Sequence, residues 1–102
     1  MKVIKRNGSI YELELDKIKT SILNSASDIN ALLTESDIKL IANKVLYILN
    51  SIHKNDKLRT TSSYEVRGVI YYVLINEGFK DVANAYMSTD FRKSWLLIQV
   101  YF

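Results

Sequence analysis

Apolar residues recur along this chain with two different periods, and the change of period separates an extended N-terminal part from a helical remainder. Residues 3–6 and 9–14 carry short apolar and polar alternations around an Asn-Gly pair, a pattern typical of a β-hairpin. From residue 16 onward, apolar residues return every three or four positions, which is the period of an α-helix. A hairpin followed by helices predicts an α+β fold.

The register of the hairpin decides which side chains face the core. The pair Asn7-Gly8 favours a two-residue type I′ turn, because both central residues of that turn need a positive φ. Arg6 then pairs with Ser9 across the turn. The face predicted to point to the core carries Ile4, Tyr11 and Leu13. The opposite face carries Val3, Lys5, Ile10, Glu12 and Glu14.

Polar residues suited to N-caps precede the first two helical segments. Asp16 is the predicted N-cap of a first helix that ends near residue 27. Thr34 with Asp37 resembles a capping box, and it precedes a longer helix whose apolar residues run from Ile38 to Ile52. The spacing therefore predicts two helices joined by a short connection.

The second half of the chain carries the same kinds of signal for helices and their ends. A Thr-rich segment at residues 58–62 predicts a short extended piece, and Ser63 is the predicted N-cap of a third helix that Gly78 ends. A fourth helix carries Val82 and Ala83 and runs on towards Arg92. The predicted architecture is α+β, with an N-terminal β-hairpin or three-stranded cap on a bundle of about four helices.

Composition limits the classes of protein that fit. At 102 residues, with 48% hydrophobic and 25% charged residues, the chain is long enough for one domain with a modest core. No apolar run approaches the ~20 residues that cross a bilayer, and none follows the basic N-terminus as in a signal peptide. With no cysteine and one histidine, we expect no metal site from protein side chains. We expect a cytoplasmic protein without membrane contact.

Net charge and motifs argue for a small anion as the ligand. The net charge of the chain is only +3, and its lysines and arginines are scattered along the sequence. Direct nucleic-acid binding is therefore not expected. The chain has no phosphate-loop or dinucleotide fingerprint, and its single histidine cannot complete a Ser-His-Asp set. We therefore do not expect an enzyme.

Lysines near the hairpin tip and at the start of the first helix are the candidate anion ligands. The free N–H groups of a helix N-terminus suit phosphate, and Lys17 in that turn is otherwise mildly unfavourable. Two interpretations of Lys5 and Arg6 remain open from the residues alone. They are either a solvated strand edge that discourages aggregation or the floor of an anion site.

Three motifs follow one another in a fixed order along the chain. The first reads Val3-Ile4-Lys5-Arg6-Asn7-Gly8 and, after six residues, Leu15-Asp16-Lys17-Ile18. The second is Ser63-Tyr64-Glu65-Val66, and the third is Val82-Ala83 followed by Phe91-Arg92-Lys93. Together they resemble the ATP-cone, a regulatory nucleotide-binding domain of ribonucleotide reductases and of the bacterial repressor of their genes. The resemblance implies a domain over residues 1–95 and leaves an apolar tail at residues 96–102.

The resemblance also implies which residues bind the nucleotide. The residues implied to hold the phosphates are Lys5, Arg6, Lys17 and Lys93, with Arg92 in the same motif. Those implied to contact base or sugar are Val3, Ile18 and Val66, with Ser63 near the phosphates or the ribose. The family often carries Glu early and Phe, Tyr or Asn late in the second strand, and this chain departs from that pattern with Tyr11 and Glu14 at those places. Glu14 would either accept from the adenine amino group or repel phosphate. Any Mg²⁺ would be bound through the phosphates.

The expected function is a regulatory module that senses ATP or dATP and changes its own oligomerisation or a partner such as ribonucleotide reductase. The apolar tail favours a homo-oligomer, because a bare apolar patch usually marks an interface. Two alternatives stay open: a degenerate cone that serves only in oligomerisation, and a small nucleic-acid-binding protein that uses the same cations. The chain is expected to be either a free-standing cone or a module of a larger protein.

Overall fold

Three short strands and four helices make up the part of the chain that the structure, a computed structural model, describes, which is residues 1–54 and 60–87. In chain order the elements are β1 (Lys2–Ile4), β2 (Ile10–Glu12), α1 (Leu15–Asp28), α2 (Glu35–Ile52), β3 (Thr60–Ser62), α3 (Ser63–Asn76) and α4, which is described over residues 80–87. The α+β architecture predicted from the sequence is confirmed.

The sheet has the order β2-β1-β3, so β1 is its central strand. β1 pairs antiparallel with β2 and parallel with β3, where Ile4 lies opposite Ser62. Because β3 runs directly into α3, this parallel pairing brings the residues that follow β1 to the start of α3. The N-terminal sheet therefore has three strands, which was one of the two forms predicted from the sequence.

The hairpin connection differs from the predicted two-residue turn. Lys5 N–H donates to the Ser9 carbonyl at 2.8 Å, which leaves a three-residue loop, and Gly8 N–H donates to the Lys5 carbonyl at 2.9 Å. Gly8 has φ +85°, whereas the φ of Asn7 is not positive. This is a tight turn followed by a left-handed glycine, which is the usual three-residue hairpin connection. Asn7 adds a side-chain bond, since its Oδ1 accepts from Ser9 N–H at 3.0 Å.

The extra loop residue shifts the register by one and exchanges the faces of β1. Val3 pairs with Tyr11 and is fully buried, whereas Ile4 is 40% exposed and its partner Ile10 is 58% exposed. The prediction that Ile4 faces the core was wrong, since a one-residue shift moves every side chain of a strand to the other face. Lys5, two residues after Val3, is thereby placed on the inner side of the sheet.

Two of the three predicted helix caps were wrong by one or two residues. α1 has Glu14 at its N-cap position, and Asp16 lies within the first turn. α3 is capped by Ser62, whose hydroxyl accepts from Glu65 N–H at 3.1 Å, so Ser63 is the first helical residue. Ser62 is the last residue of β3, and its extended conformation suits an N-cap. The same residue therefore ends the strand and caps α3. The capping box of Thr34 and Asp37 is confirmed.

The core lies between the inner face of the sheet and the helices, with α2 packed against both α1 and α3. Its largest fully buried side chains are Val3, Ile18, Ile22, Ile41, Val45, Leu49, Ile70 and Leu74. α4 contributes Val82, Ala83 and Tyr86 to the same cluster. Over the described ranges, no helix combines the length and apolar character needed to cross a membrane.

Removing the α2 cap tests the capping box. Thr34→Ala deletes the hydroxyl that accepts from Asp37 N–H at 3.0 Å. We expect a loss of about 1 kcal/mol in the free energy of unfolding. The matched control is Thr20→Ala, since the Thr20 hydroxyl donates to the Asp16 carbonyl within α1 and caps nothing. Urea unfolding should show a loss below about 0.5 kcal/mol for the control. Equal losses in the two variants would contradict the cap.

Candidate functional site

A cavity of about 540 Å³ opens between the hairpin, the start of α1 and the first two turns of α3. Its volume lies within the ~300–1,000 Å³ range of small-molecule sites. The lining residues are the cations Lys5, Arg6, Lys17 and Arg67, the polar residues Asn7, Ser21 and Ser63, and the apolar or aromatic residues Tyr11, Leu13, Ile18, Val66, Ile70 and Tyr86.

The two lysines of the cavity approach one aromatic ring. Lys5 Nζ lies 5.1 Å from the centroid of the Tyr11 ring, and Lys17 Nζ lies 4.6 Å from it. Lys17 Nζ also donates to the Glu12 carbonyl at 3.4 Å. The distances from Lys5 Nζ and Lys17 Nζ to the ring centroid are both within the ~6 Å over which a cation is attracted to an aromatic ring. The ring thus joins a lysine that follows β1 to a lysine in the first turn of α1.

The two arginines of the cavity flank a second aromatic ring. The guanidinium carbons of Arg6 and Arg67 lie 5.3 and 5.4 Å from the centroid of the Tyr64 ring. Arg6 Nε also donates to the Tyr64 hydroxyl at 2.5 Å. Tyr64 is in the first turn of α3, so this contact fixes the hairpin loop against the start of that helix.

The charge of the cavity wall is of one sign. Four cations line it, and none of the described lining residues is an aspartate or glutamate. Clustered charge of one sign in a concave, partly desolvated site attracts ligands of the opposite charge. The starts of α1 and α3 add the positive ends of two helix dipoles. The cavity is therefore suited to an anion.

Ser63 supplies a polar atom that is available to a ligand. Its hydroxyl oxygen is buried and has no hydrogen-bond partner within the described ranges. Such buried unsatisfied groups are uncommon, since leaving one unpaired costs about 1–3 kcal/mol. Ser63 is also the first residue of α3, where backbone N–H groups lack intrahelical acceptors. A ligand oxygen in the cavity would satisfy both.

Tyr11 keeps a neutral ring in this positive environment. Burial raises the pKa of its hydroxyl above the ordinary value of 10.0, and the nearby charge of Arg67 lowers it in part. Because the pKa stays above the ordinary value, the phenol is protonated at neutral pH. Lys5 and Lys17 consequently meet an uncharged ring.

Most of the described residues that the sequence predicted for the site line one cavity. Those that line it are Lys5, Arg6, Lys17, Ile18, Ser63 and Val66. Val3 lies in the core under the sheet and is not part of the lining. Glu14 is exposed at the N-cap of α1, also outside the lining. Arg92 and Lys93 fall outside the described residues. The assignment of these residues to nucleotide binding stays a prediction.

Several residues that line the cavity were not predicted from the sequence. Tyr11 and Leu13 are on the inner face of β2 and its continuation, and their place beside Lys5 follows from the observed register. Arg67 and Ile70 are four and seven residues after Ser63. Helical spacing puts all three on one side of α3, a signal that was available in the sequence.

A small polar cluster fixes the start of α3. Glu65 Oε1 accepts from the Thr61 hydroxyl at 2.7 Å and lies 2.5 Å from His53 Nε2 at the end of α2. The hydrogen bond from Thr61 lowers the pKa of Glu65, burial opposes this, and His53 lowers it further. The cluster ties β3, α2 and α3 together two residues from Ser63.

The chain is a small α+β domain with a cavity whose cations suit an anionic ligand. The family model of the ATP cone domain matches residues 1–94, and the chain therefore belongs to the ATP-cone family. ATP-cone domains are regulatory modules that bind nucleotides, and the match confirms the resemblance drawn from the motifs. A comparison with curated proteins finds no matching relative.

The pKa of Glu65 gives stability a pH dependence of defined sign. Its folded pKa lies below the ordinary value of 4.5, so its contribution is fully present above that pH. The contribution is lost as the pH falls through the folded pKa. Glu65→Gln should lower the free energy of unfolding near pH 7, and its difference from the wild type should shrink below about pH 4. Urea unfolding across this range measures both.

Thr61→Val is the matched variant, because it keeps a similar shape and removes the hydroxyl that most lowers the Glu65 pKa. It should flatten the same pH dependence. If Glu65→Gln follows the wild type at every pH, the charge of the Glu65 carboxylate contributes no stability.

Proposed function

We propose that this chain is a regulatory module that binds ATP or dATP in the cavity described above. Binding alters its self-association or its contact with a partner such as a ribonucleotide reductase. The observation that carries the proposal is the convergence of four cations from the hairpin, α1 and α3 on one cavity in a chain of the ATP-cone family.

The polar half of the cavity suits a chain of phosphates. Lys5 and Arg6 approach from the hairpin, Lys17 from the first turn of α1, and Arg67 from the first turns of α3. Hydrogen bonds between cations and phosphate oxygens are about twice as strong as those between neutral groups. Helix N-termini add unpaired N–H groups that suit phosphate. Mg²⁺, where present, would be carried by the phosphates.

The apolar half of the cavity suits a base and a sugar. Ile18, Val66 and Ile70 form a wall with Leu13 and Tyr86, and Ser63 lies where it can donate to a ribose or phosphate oxygen. The proposed nucleotide set also keeps Arg92 and Lys93, which follow Tyr86 by six and seven residues. Val3 supports these nucleotide-binding residues from the core, and Glu14 makes no proposed contact with the nucleotide.

The family and the cavity both favour regulation over catalysis. An ATP-cone is a regulatory domain rather than a catalytic one. The described lining holds cations, hydroxyls and apolar groups, which bind a polyphosphate by charge and hydrogen bonding. A concave site of this size encloses a nucleotide better than it follows a duplex backbone. A cone that had lost its ligand would have no need for four cations around one cavity.

Removing a cavity lysine tests phosphate binding. Lys5→Ala or Lys17→Ala should weaken ATP binding by about 1.5–3 kcal/mol, the range for hydrogen bonds to charged groups. That is roughly a ten- to hundredfold rise in Kd, measured by isothermal titration calorimetry. Both side chains are exposed, so the fold should persist, which thermal unfolding checks.

Lys39→Ala is the matched control, because Lys39 is exposed on α2 and does not line the cavity. Its Kd for ATP should equal that of the wild type. Unchanged affinity in both cavity variants would contradict the assignment. Tight binding of a short DNA duplex that ATP does not displace would favour a nucleic-acid-binding protein.

Regulation by self-association makes a separate prediction. A ligand shifts an association equilibrium only through a difference in its affinity for the two states. ATP and dATP should therefore give different mass distributions in sedimentation velocity. Deleting the apolar residues 96–102 should reduce self-association and leave nucleotide affinity largely intact. The same mass without ligand, with ATP and with dATP would contradict switching by self-association.

A further inference from the structure

Each cation of the cavity lies over a tyrosine ring. Lys5 and Lys17 share the ring of Tyr11, and Arg6 and Arg67 share that of Tyr64. The Tyr11 pair is the simpler arrangement, since two flexible lysines from different elements converge on one half-buried ring. From the sequence, Tyr11 was predicted on the core face of the hairpin and noted as a departure from the family's second strand, without any contact to the lysines.

We propose that Tyr11 is a positioning residue for polyphosphate binding: its ring holds Lys5 and Lys17 in the cavity wall without neutralising them. The inference rests on the proposed function and deepens it. The ring takes the place that a carboxylate would have in an ion pair, and the full charge of both lysines is left for the ligand.

The physical reason is that two like charges are otherwise hard to hold together. Lys5 and Lys17 repel one another, and each gains freedom by turning into solvent, so ordering them on binding would cost affinity. The face of an aromatic ring attracts both ammonium groups and bears no net charge. A carboxylate would hold them too, but a phosphate would have to compete with it. The ring therefore orders the cations before the ligand arrives.

This role predicts which part of a nucleotide is affected when the ring is lost. The contacts of Tyr11 are to cations, so its effect should reach the ligand through the phosphates. If the ring instead stacked on a base, its loss would weaken nucleoside binding as much as nucleotide binding. The two roles are separated by comparing tripolyphosphate, which has no base, with adenosine, which has no phosphate.

The experiment measures Kd by calorimetry for ATP, tripolyphosphate and adenosine in three variants. Tyr11→Leu removes the ring, Tyr11→Phe keeps it without the hydroxyl, and Tyr47→Leu removes a tyrosine that is 74% exposed on α2 outside the cavity lining. We expect Tyr11→Leu to weaken ATP and tripolyphosphate by about tenfold, the scale of ordering two long side chains. The loss for adenosine should be much smaller. Tyr11→Phe should restore most of the affinity, and Tyr47→Leu should match the wild type.

Each other outcome overturns the inference. Equal losses for adenosine and tripolyphosphate would mean that the ring contacts the base or only shapes the cavity. An equal effect of Phe and Leu would assign the role to the hydroxyl, and unchanged binding in Tyr11→Leu would remove any role. These results require a wild type that binds ATP. If the wild type binds neither ATP nor tripolyphosphate, the proposed function itself fails.

Discussion

The parallel pairing of β1 with β3 is the constraint on which the cavity depends. Val3 is fully buried in the central strand, which fixes the face of β1 and puts Lys5 on the inner side. Because β3 continues into α3 through the capping residue Ser62, the same pairing sets the start of α3 beside the end of β1. A short strand with one buried valine thus brings two segments that are distant in sequence to one cation-lined cavity.

The cavity concentrates positive charge at a cost to the free protein, since like charges repel and the Ser63 hydroxyl has no partner among residues 1–54 and 60–87. Sites that carry unsatisfied groups are generally those where a ligand compensates. A ligand that binds only the folded state raises its stability in proportion to the logarithm of its concentration above Kd. In a regulatory module, this gain is available to shift an equilibrium between states.

The helices were predictable from local signals, with their N-caps correct or displaced by one or two residues, whereas the strand register was not. The capping box of Thr34 and Asp37 involves residues three apart, and the structure confirms it. The hairpin register depended on whether Asn7-Gly8 formed a two- or three-residue loop, and sequence preference for the shorter turn gave the wrong face for Ile4. The motif residues were named from the resemblance and did not depend on this register, and their role in binding stays a prediction. The helical spacing of Arg67 from Ser63 could have been read from the sequence, whereas the place of Tyr11 beside Lys5 follows from the observed strand pairing.

In the proposed complex, a nucleotide binds between the hairpin loop and the starts of α1 and α3. Backbone amide spectra of the isotope-labelled protein, recorded during titration with ATP, locate the ligand without any substitution. The largest shifts are expected at residues 5–8, at Lys17 and at residues 63–67, with little change along the exposed side of α2. Shifts that centre on α2, or no shifts at saturating ATP, would show that the nucleotide does not bind in this cavity.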